Sequence, residues 1–306
     1  MIFCFNELCL NAKTIRSLNK EYWNNVLRQF TDILKHAGLS NGPNLQVRTE
    51  NGLWNIISKY TLLHEVINEN RNKDRKRLIL RLADKSPYWE KEKEVFKFNG
   101  VLAVGFSAAY YHDCPAISFN FPDTEKAPIV KISSGEDLNP KKIFNFTNEG
   151  QFELYNKFYR SADHCQSYIL SLDNLKSKAK EHKYWERLFF SDEFQKLEIE
   201  KKYISAIINK LCILNNFLFT DTINSLSFND LRNVLPDARD ESGSVRNDKN
   251  KMESRTKSFA GKGVACLFHT NLDKSYRLYF KVEYQQRLIY IGYIGKHLDT
   301  GRHKGN

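Results

Sequence analysis

Three runs close to the end of the chain alternate aromatic or β-branched residues with polar ones: Val264–His269, Tyr276–Tyr284 and Arg287–Ile294. A two-residue period places successive side chains on opposite faces of a sheet. Asn271, Asp273 and Gln285-Gln286 stand at the joints, so the runs predict consecutive strands of an antiparallel meander. The surrounding segment is basic. Residues 249–306 hold 12 Lys/Arg against 4 Asp/Glu and so supply most of the formal net charge of +11. A small basic sheet points to a polyanionic partner, with RNA as the first expectation.

The chain has 306 residues, 41% of them hydrophobic, enough to bury a core in two folded parts. Its apolar runs fall short of the roughly 20 residues of a membrane span. The start, Met1–Glu7, has neither a basic leader nor a long apolar stretch, so a cytoplasmic protein with no membrane partner is expected. Six cysteines lie scattered without a C-x-x-C pair, which predicts reduced, mostly buried thiols and no disulfide framework or zinc ribbon.

The fold class expected is α+β, with a helix-rich N-terminal α/β domain over 1–222. A small C-terminal antiparallel sheet with one or two helices follows over 223–306. Trp23, Val26, Leu27, Phe30, Ile33 and Leu34 recur at helical spacing and predict a helix from about Lys20 to His36. Further helices are expected over Leu53–Ile67, Leu78–Ala83, Phe189–Phe219 and Phe228–Val234. The charged run Asn68–Arg77 reads as a solvated helix start. Asp221–Ser225 carries turn and capping residues and marks the domain boundary, and the polar stretch Pro236–Asn250 reads as an exposed mobile loop.

Several chemistries find no support. Gly100 and Gly105 belong to neither G-x-G-x-x-G nor G-x-x-x-x-G-K, so no nucleotide cofactor is expected. Pro122-Asp123 followed by Ile129–Ile132 looks like a restriction-nuclease metal strand, but Ile129 stands where that pattern needs an acid. The pairs His112/Cys114 and His164/Cys165 lack matched ligand spacing, so no metal is expected. Tyr290–Gly295 contains two "YIG" triplets, yet only eleven residues follow Gly295, too few for a GIY-YIG nuclease domain. The two glycines read instead as a bend where something approaches the backbone.

A short helix, a polar segment and the runs Gly263–His269, Tyr276–Val282 and Leu288–His297 resemble, in order and spacing, the RelE/ParE toxin superfamily. The likeness covers about residues 225–300. It implies an endoribonuclease acting on messenger RNA, with the ribosome and an antitoxin or a defence-complex subunit as partners, or else a relative that inhibits gyrase. Residue-by-residue transfer reaches only Arg277 in the "YR" strand. The long N-terminal part resembles a fused regulatory or targeting domain of an anti-phage protein.

The residues supply their own reasons to look at the same segment. RNA cleavage without a metal requires deprotonation of a 2′-hydroxyl, stabilisation of charge on phosphorus and protonation of the leaving 5′-oxygen. Arg277, Tyr279 and Lys281 share one face of the middle strand, His269 ends the strand before it and Lys296-His297 ends the one after. These make the expected catalytic set Arg277, His269, His297, Tyr279 and Lys281. Arg255, Lys257, Lys262, Lys274, Arg287, Tyr293 and Lys296 are the expected nucleic-acid contacts, with Tyr293 and Tyr279 as stacking platforms. The other class left open is a non-catalytic nucleic-acid- or protein-binding component with a basic platform.

Overall fold

The structure is a computed structural model that describes residues 1–11, 15, 18–41, 45–50, 52, 53, 55, 61–69, 73–85, 94–121, 127–134, 140–181, 184–219 and 226–299. It divides into two compact units, Met1–Asn156 and Lys157–Asn306. Asp123 and the boundary segment Asp221–Ser225 lie outside the described residues.

The first unit is built on β1 (Ile2–Phe5), α1 (Lys20–Asn41), β2 (Gln46–Arg48), α2 (Thr61–Glu69) and α3 (Lys73–Lys85). The hairpin β3 (Lys97–Phe98) and β4 (Val101–Leu102), α4 (Val104–Tyr111), β5 (Ala116–Ile117), β6 (Ile129–Ile132) and β7 (Lys141–Phe146) follow. The main sheet has the order β2-β1-β5-β7-β6, parallel except for β6. Phe3, Cys4 and Phe5 are all sealed from solvent, the mark of a parallel strand covered on both faces. The apolar stripe of α1 lies where its spacing predicts, and Phe30 meets Phe5 and Phe119 edge to face. Asn99 and Gly100 take φ of 49° and 80°, the backbone that a two-residue hairpin turn demands.

The second unit takes in α6 (Ala162–Tyr168), α7 (Leu172–Lys180), β8 (Leu188–Phe190), α8 (Ile204–Phe217), α9 (Phe228–Val234) and β9 (Arg239–Asp240); α5 (Phe152–Tyr159) contains the division itself. After β9 come α10 (Gly243–Arg246), α11 (Lys249–Arg255), the hairpin β10 (Thr256–Phe259) and β11 (Lys262–Ala265), β12 (Phe268–Asn271), β13 (Tyr276–Glu283) and β14 (Leu288–Lys296). The sheet order is β8-β14-β13-β12-β9. Leu278, Phe280 and Val282 of β13 and Ile289, Ile291 and Ile294 of β14 join Ile204, Ile207, Ile208, Leu211 and Leu214 of α8 in one core.

Four expectations are corrected. The meander β12-β13-β14 is present, but the sheet is mixed, because β8 pairs in parallel with β14. The helix expected from Phe189 starts only at Ile204: Leu188 is sealed, Phe189 turns outward and Phe190 packs inward, the two-residue period of a strand. That pairing also puts the segment after Lys157 with the C-terminal sheet, so the division falls at Asn156 and not near residue 222. Finally, Pro236–Asn250 is an edge strand and two short helices in place of a loop, held by burial of Ala238, Glu241 and Val245 and by Asp248, which accepts from the amides of Asn250 and Lys251.

Ile289, Ile291 and Ile294 are spaced by two and then by three, so a regular strand would turn one of them away from the core. A β-bulge resolves the mismatch: Tyr279 opposes Tyr293 and Phe280 opposes Ile291, leaving Gly292 as the extra residue. A Cβ at Gly292 would stand 2.5 Å from the Cys266 sulfur, so only glycine fits there. Gly292→Ala should therefore destabilise the chain by about 1–3 kcal/mol through overpacking. Cys266→Ala in the same chain should recover part of that loss, a coupling read from thermal or urea unfolding of the two single variants and the double.

Candidate active site on the second face of the C-terminal sheet

Strand alternation turns Arg277, Tyr279 and Lys281 away from the α8 core. The register then decides what stands beside them. His269 of β12 lies opposite Tyr279, with ring centroids 5.4 Å apart, and Asn271 lies opposite Arg277. His297 directly follows β14, where its amide donates to the Ser275 carbonyl at 2.7 Å, and its ring lies 6.4 Å from that of His269. The Tyr279 hydroxyl accepts from the Leu298 amide at 3.1 Å, tying the backbone after His297 to the middle of the sheet.

Behind these rings lies a buried ion pair. Arg255, at the end of α11, is 1% exposed; its Nε donates to Glu241 Oε1 at 2.8 Å, and its guanidinium sits 5.7 Å from the centre of the Tyr279 ring. Arg255 Nη1 also donates to the Lys251 carbonyl and the Ser254 hydroxyl. The same Glu241 oxygen is 3.9 Å from His269 Nδ1, the ring nitrogen that is sealed from solvent. Nothing in the spacing of the sequence singled out Glu241. Its one signal was an acid in front of Ser242 in an otherwise solvated stretch.

Burial pushes the His269 imidazole down to about 4, helped by the positive charge of Arg277 and then of His297, Arg255 and Arg239. Burial and Arg277 also lower His297. Burial raises the phenols of Tyr279 and Tyr293. At neutral pH the site therefore offers neutral imidazole at His269 and protonated phenols beside fixed guanidinium charges.

A cleft of about 600 Å³ opens next to the cluster, lined by Asp248, Asn250, Lys251 and Ser254 of the α11 segment and by Tyr293, Lys296, His297, Leu298 and Asp299. The site thus gathers His269, His297, Arg277 and Tyr279, with Tyr293 and Lys296 on the cleft. Arg277 is held by its own turn, Nη1 donating to the carbonyls of Asp273 and Tyr276, while its Nε is buried without a hydrogen-bond partner.

Other expected residues fall elsewhere. Lys281 lies beyond the bulge, four positions or roughly 13 Å along the strand from Arg277, and pairs with Glu283 at 3.1 Å. Its place in the catalytic set is corrected on that ground. Arg255 is corrected from a nucleic-acid contact to a buried structural cation, since a sealed guanidinium needs its carboxylate. Lys257 pairs with Glu193 at 3.2 Å, with its ammonium 5.5 Å from the centre of the Tyr293 ring. Lys262 is exposed at the start of β11, Lys274 is exposed in the bend before β13, and Arg287 occupies the β13–β14 turn with φ of 53°.

Among the described residues no three His, Cys, Asp or Glu side chains come together to hold a metal ion, and no helix is long and apolar enough to cross a membrane. No family model, curated protein or solved structure matches the chain.

Two outcomes follow. Glu241→Ala strands a buried guanidinium and should cost about 3–5 kcal/mol, measured by chemical denaturation. The folded pKa of His269 lies below its unfolded value, so the unfolded chain binds the extra proton: its contribution is complete above about pH 6.5 and is lost as pH falls towards about 4. Unfolding midpoints taken across that window should slope downward on acidification, and His269→Asn should flatten the slope.

Proposed function

We propose that the C-terminal unit binds RNA and cleaves its phosphodiester backbone without a metal ion, as a toxin-like endoribonuclease. The observation that carries this reading is the meeting of His269, His297, Arg277 and Tyr279 beside an open cleft on a basic sheet. The RelE/ParE likeness belongs to the same proposal. Its support is a short helix, α9, and, after β9, two short helices and the β10–β11 hairpin, three consecutive antiparallel strands with Arg277 in the middle one. Ribosome-bound messenger RNA, an antitoxin or defence-complex subunit, and a role in anti-phage defence come with it as proposals.

His297 lines the cleft and serves as the base that takes the 2′-hydroxyl proton. The 2′-oxygen then attacks phosphorus and leaves a 2′,3′-cyclic phosphate, while the bond to the 5′-oxygen breaks. Lys296, exposed on the same rim, is the proton donor assigned to the departing oxygen, and Arg277 supplies positive charge. Tyr279 is 1% exposed and so acts as a positioning residue through Leu298 rather than as a stacking platform.

A second reading has its own observation. Arg277 spends its Nη1 on backbone carbonyls, and Lys257 and Lys281 are ion-paired, which suits a platform that binds nucleic acid or protein without turnover. Cleavage of a 5′-labelled RNA separates the two. Turnover should persist in EDTA and yield cyclic-phosphate ends. His297→Ala should lower kcat on the order of 10²-fold with little change in RNA affinity, and Arg277→Ala should lower it by about 10²–10³-fold. Salt-sensitive binding with no fragments would select the platform; rescue by Mg²⁺ after EDTA would overturn the metal-free assignment.

A further inference from the structure

Of the six cysteines five are buried, and Cys114 alone is partly exposed. Its sulfur lies 3.6 Å from that of Cys4, which is fully sealed in β1. The contact is built by the first unit's sheet. Cys4 pairs with Ala116 of β5 in register, and its amide donates to the Pro115 carbonyl at 3.0 Å, so the segment entering β5 runs alongside Cys4. Asp113, with φ of 48°, turns the chain into that segment. On the other side Cys4 pairs in register with Arg48, whose Nη1 contacts the His112 ring at 2.9 Å. The Arg48 charge lowers the Cys4 thiol only in part: its hydrogen bond to Cys114 and its burial hold it well above the ordinary thiol range, so the partly exposed Cys114 is the sulfur placed to meet an oxidant first.

We propose that Cys114 and Cys4 are a peroxide-oxidisable dithiol that closes into an intrachain disulfide. The Cys114 sulfur attacks one oxygen of a hydroperoxide, breaking the O–O bond and releasing an alcohol, or water from hydrogen peroxide, to leave a sulfenic acid. The Cys4 sulfur then attacks the Cys114 sulfur and expels water. The two thiols give up two electrons and two protons, and the peroxide is the species reduced. The product would join β1 to the entry of β5, two neighbouring strands of one sheet. This inference is independent of any reading of the C-terminal site.

The molecule holds its own comparison. Cys165 and Cys212 in the second unit have sulfurs 3.5 Å apart, yet both are buried. Proximity alone would oxidise both pairs, whereas proximity with access selects the first.

The test treats the full native chain with hydrogen peroxide, quenches with an alkylating reagent and maps unreduced peptides. The expected result is a Cys4–Cys114 linked peptide, loss of two of the six free thiols, a mass decrease of two hydrogens and full recovery by a dithiol reductant. Cys4→Ser should leave Cys114 as a sulfenic acid that a 1,3-dione traps, and Cys114→Ser should leave Cys4 reduced. Recovery of Cys114 as free thiol or sulfinic acid with Cys4 still reduced would overturn the proposal. So would a disulfide-linked dimer, or linkage of Cys165 to Cys212 at the same rate. The wild-type map decides the matter even where a serine variant fails to fold.

Discussion

A guanidinium sealed from water must be matched by an acceptor in the same low-dielectric space, and in the second unit that requirement is met between Arg255 and Glu241. The pair joins the end of α11 to the turn after β9, elements 14 residues apart in the chain. Arg255 reaches further to Lys251 and Ser254 within its own helix and lies near the Tyr279 ring, while Glu241 approaches His269. The second face of the sheet is thus organised around one charge and its partner. The segment 236–250 is held as well by the pairing of β9 with β12 and by Asp237, which pairs with Lys210 at 2.7 Å, but the Arg255–Glu241 contact is the one that ties it to the helix carrying the cleft wall of Asp248, Asn250, Lys251 and Ser254.

The same arrangement sets the electrostatics of the candidate site. Positive charges from Arg277, Arg255 and Arg239 surround His269, and burial denies its imidazolium the solvation it would need. His297 sits closer to solvent and experiences the same Arg277 charge. Two imidazoles in one patch therefore differ in access: His269 is sealed at Nδ1 against the ion pair, and His297 borders the cleft. That difference is what separates a positioning histidine from one able to meet a substrate.

Much of the fold was legible because its signals are local. The α1 stripe, the helix over Phe228–Val234 and the last two C-terminal runs each depend on residues a few positions apart and stand where they were expected, whereas the first run, Val264–His269, is divided between β11 of the hairpin and β12 of the sheet. Gly292 was also legible as a bend, and its bulge reconciles the uneven isoleucine spacing of β14. The stretch after Leu188 misled for the opposite reason. Its apolar residues suit a helix, but β14 offers a strand edge 101 residues away, and pairing with that edge outweighs local preference.

By itself the sequence determined the last two strands of the meander, the face that Arg277, Tyr279 and Lys281 share and the concentration of positive charge. These follow from residue type and a two-residue period alone. Tertiary structure decided which of those side chains meet. Register set His269 against Tyr279, the bulge and strand length carried Lys281 away, and burial turned Arg255 from a surface cation into a structural one. It also brought Glu241, read only as part of a polar loop, to the centre of the site, and set four of six scattered cysteines into two sulfur contacts. Contacts between residues distant in the chain depend on the free energy of the whole packing, which no short window of sequence contains.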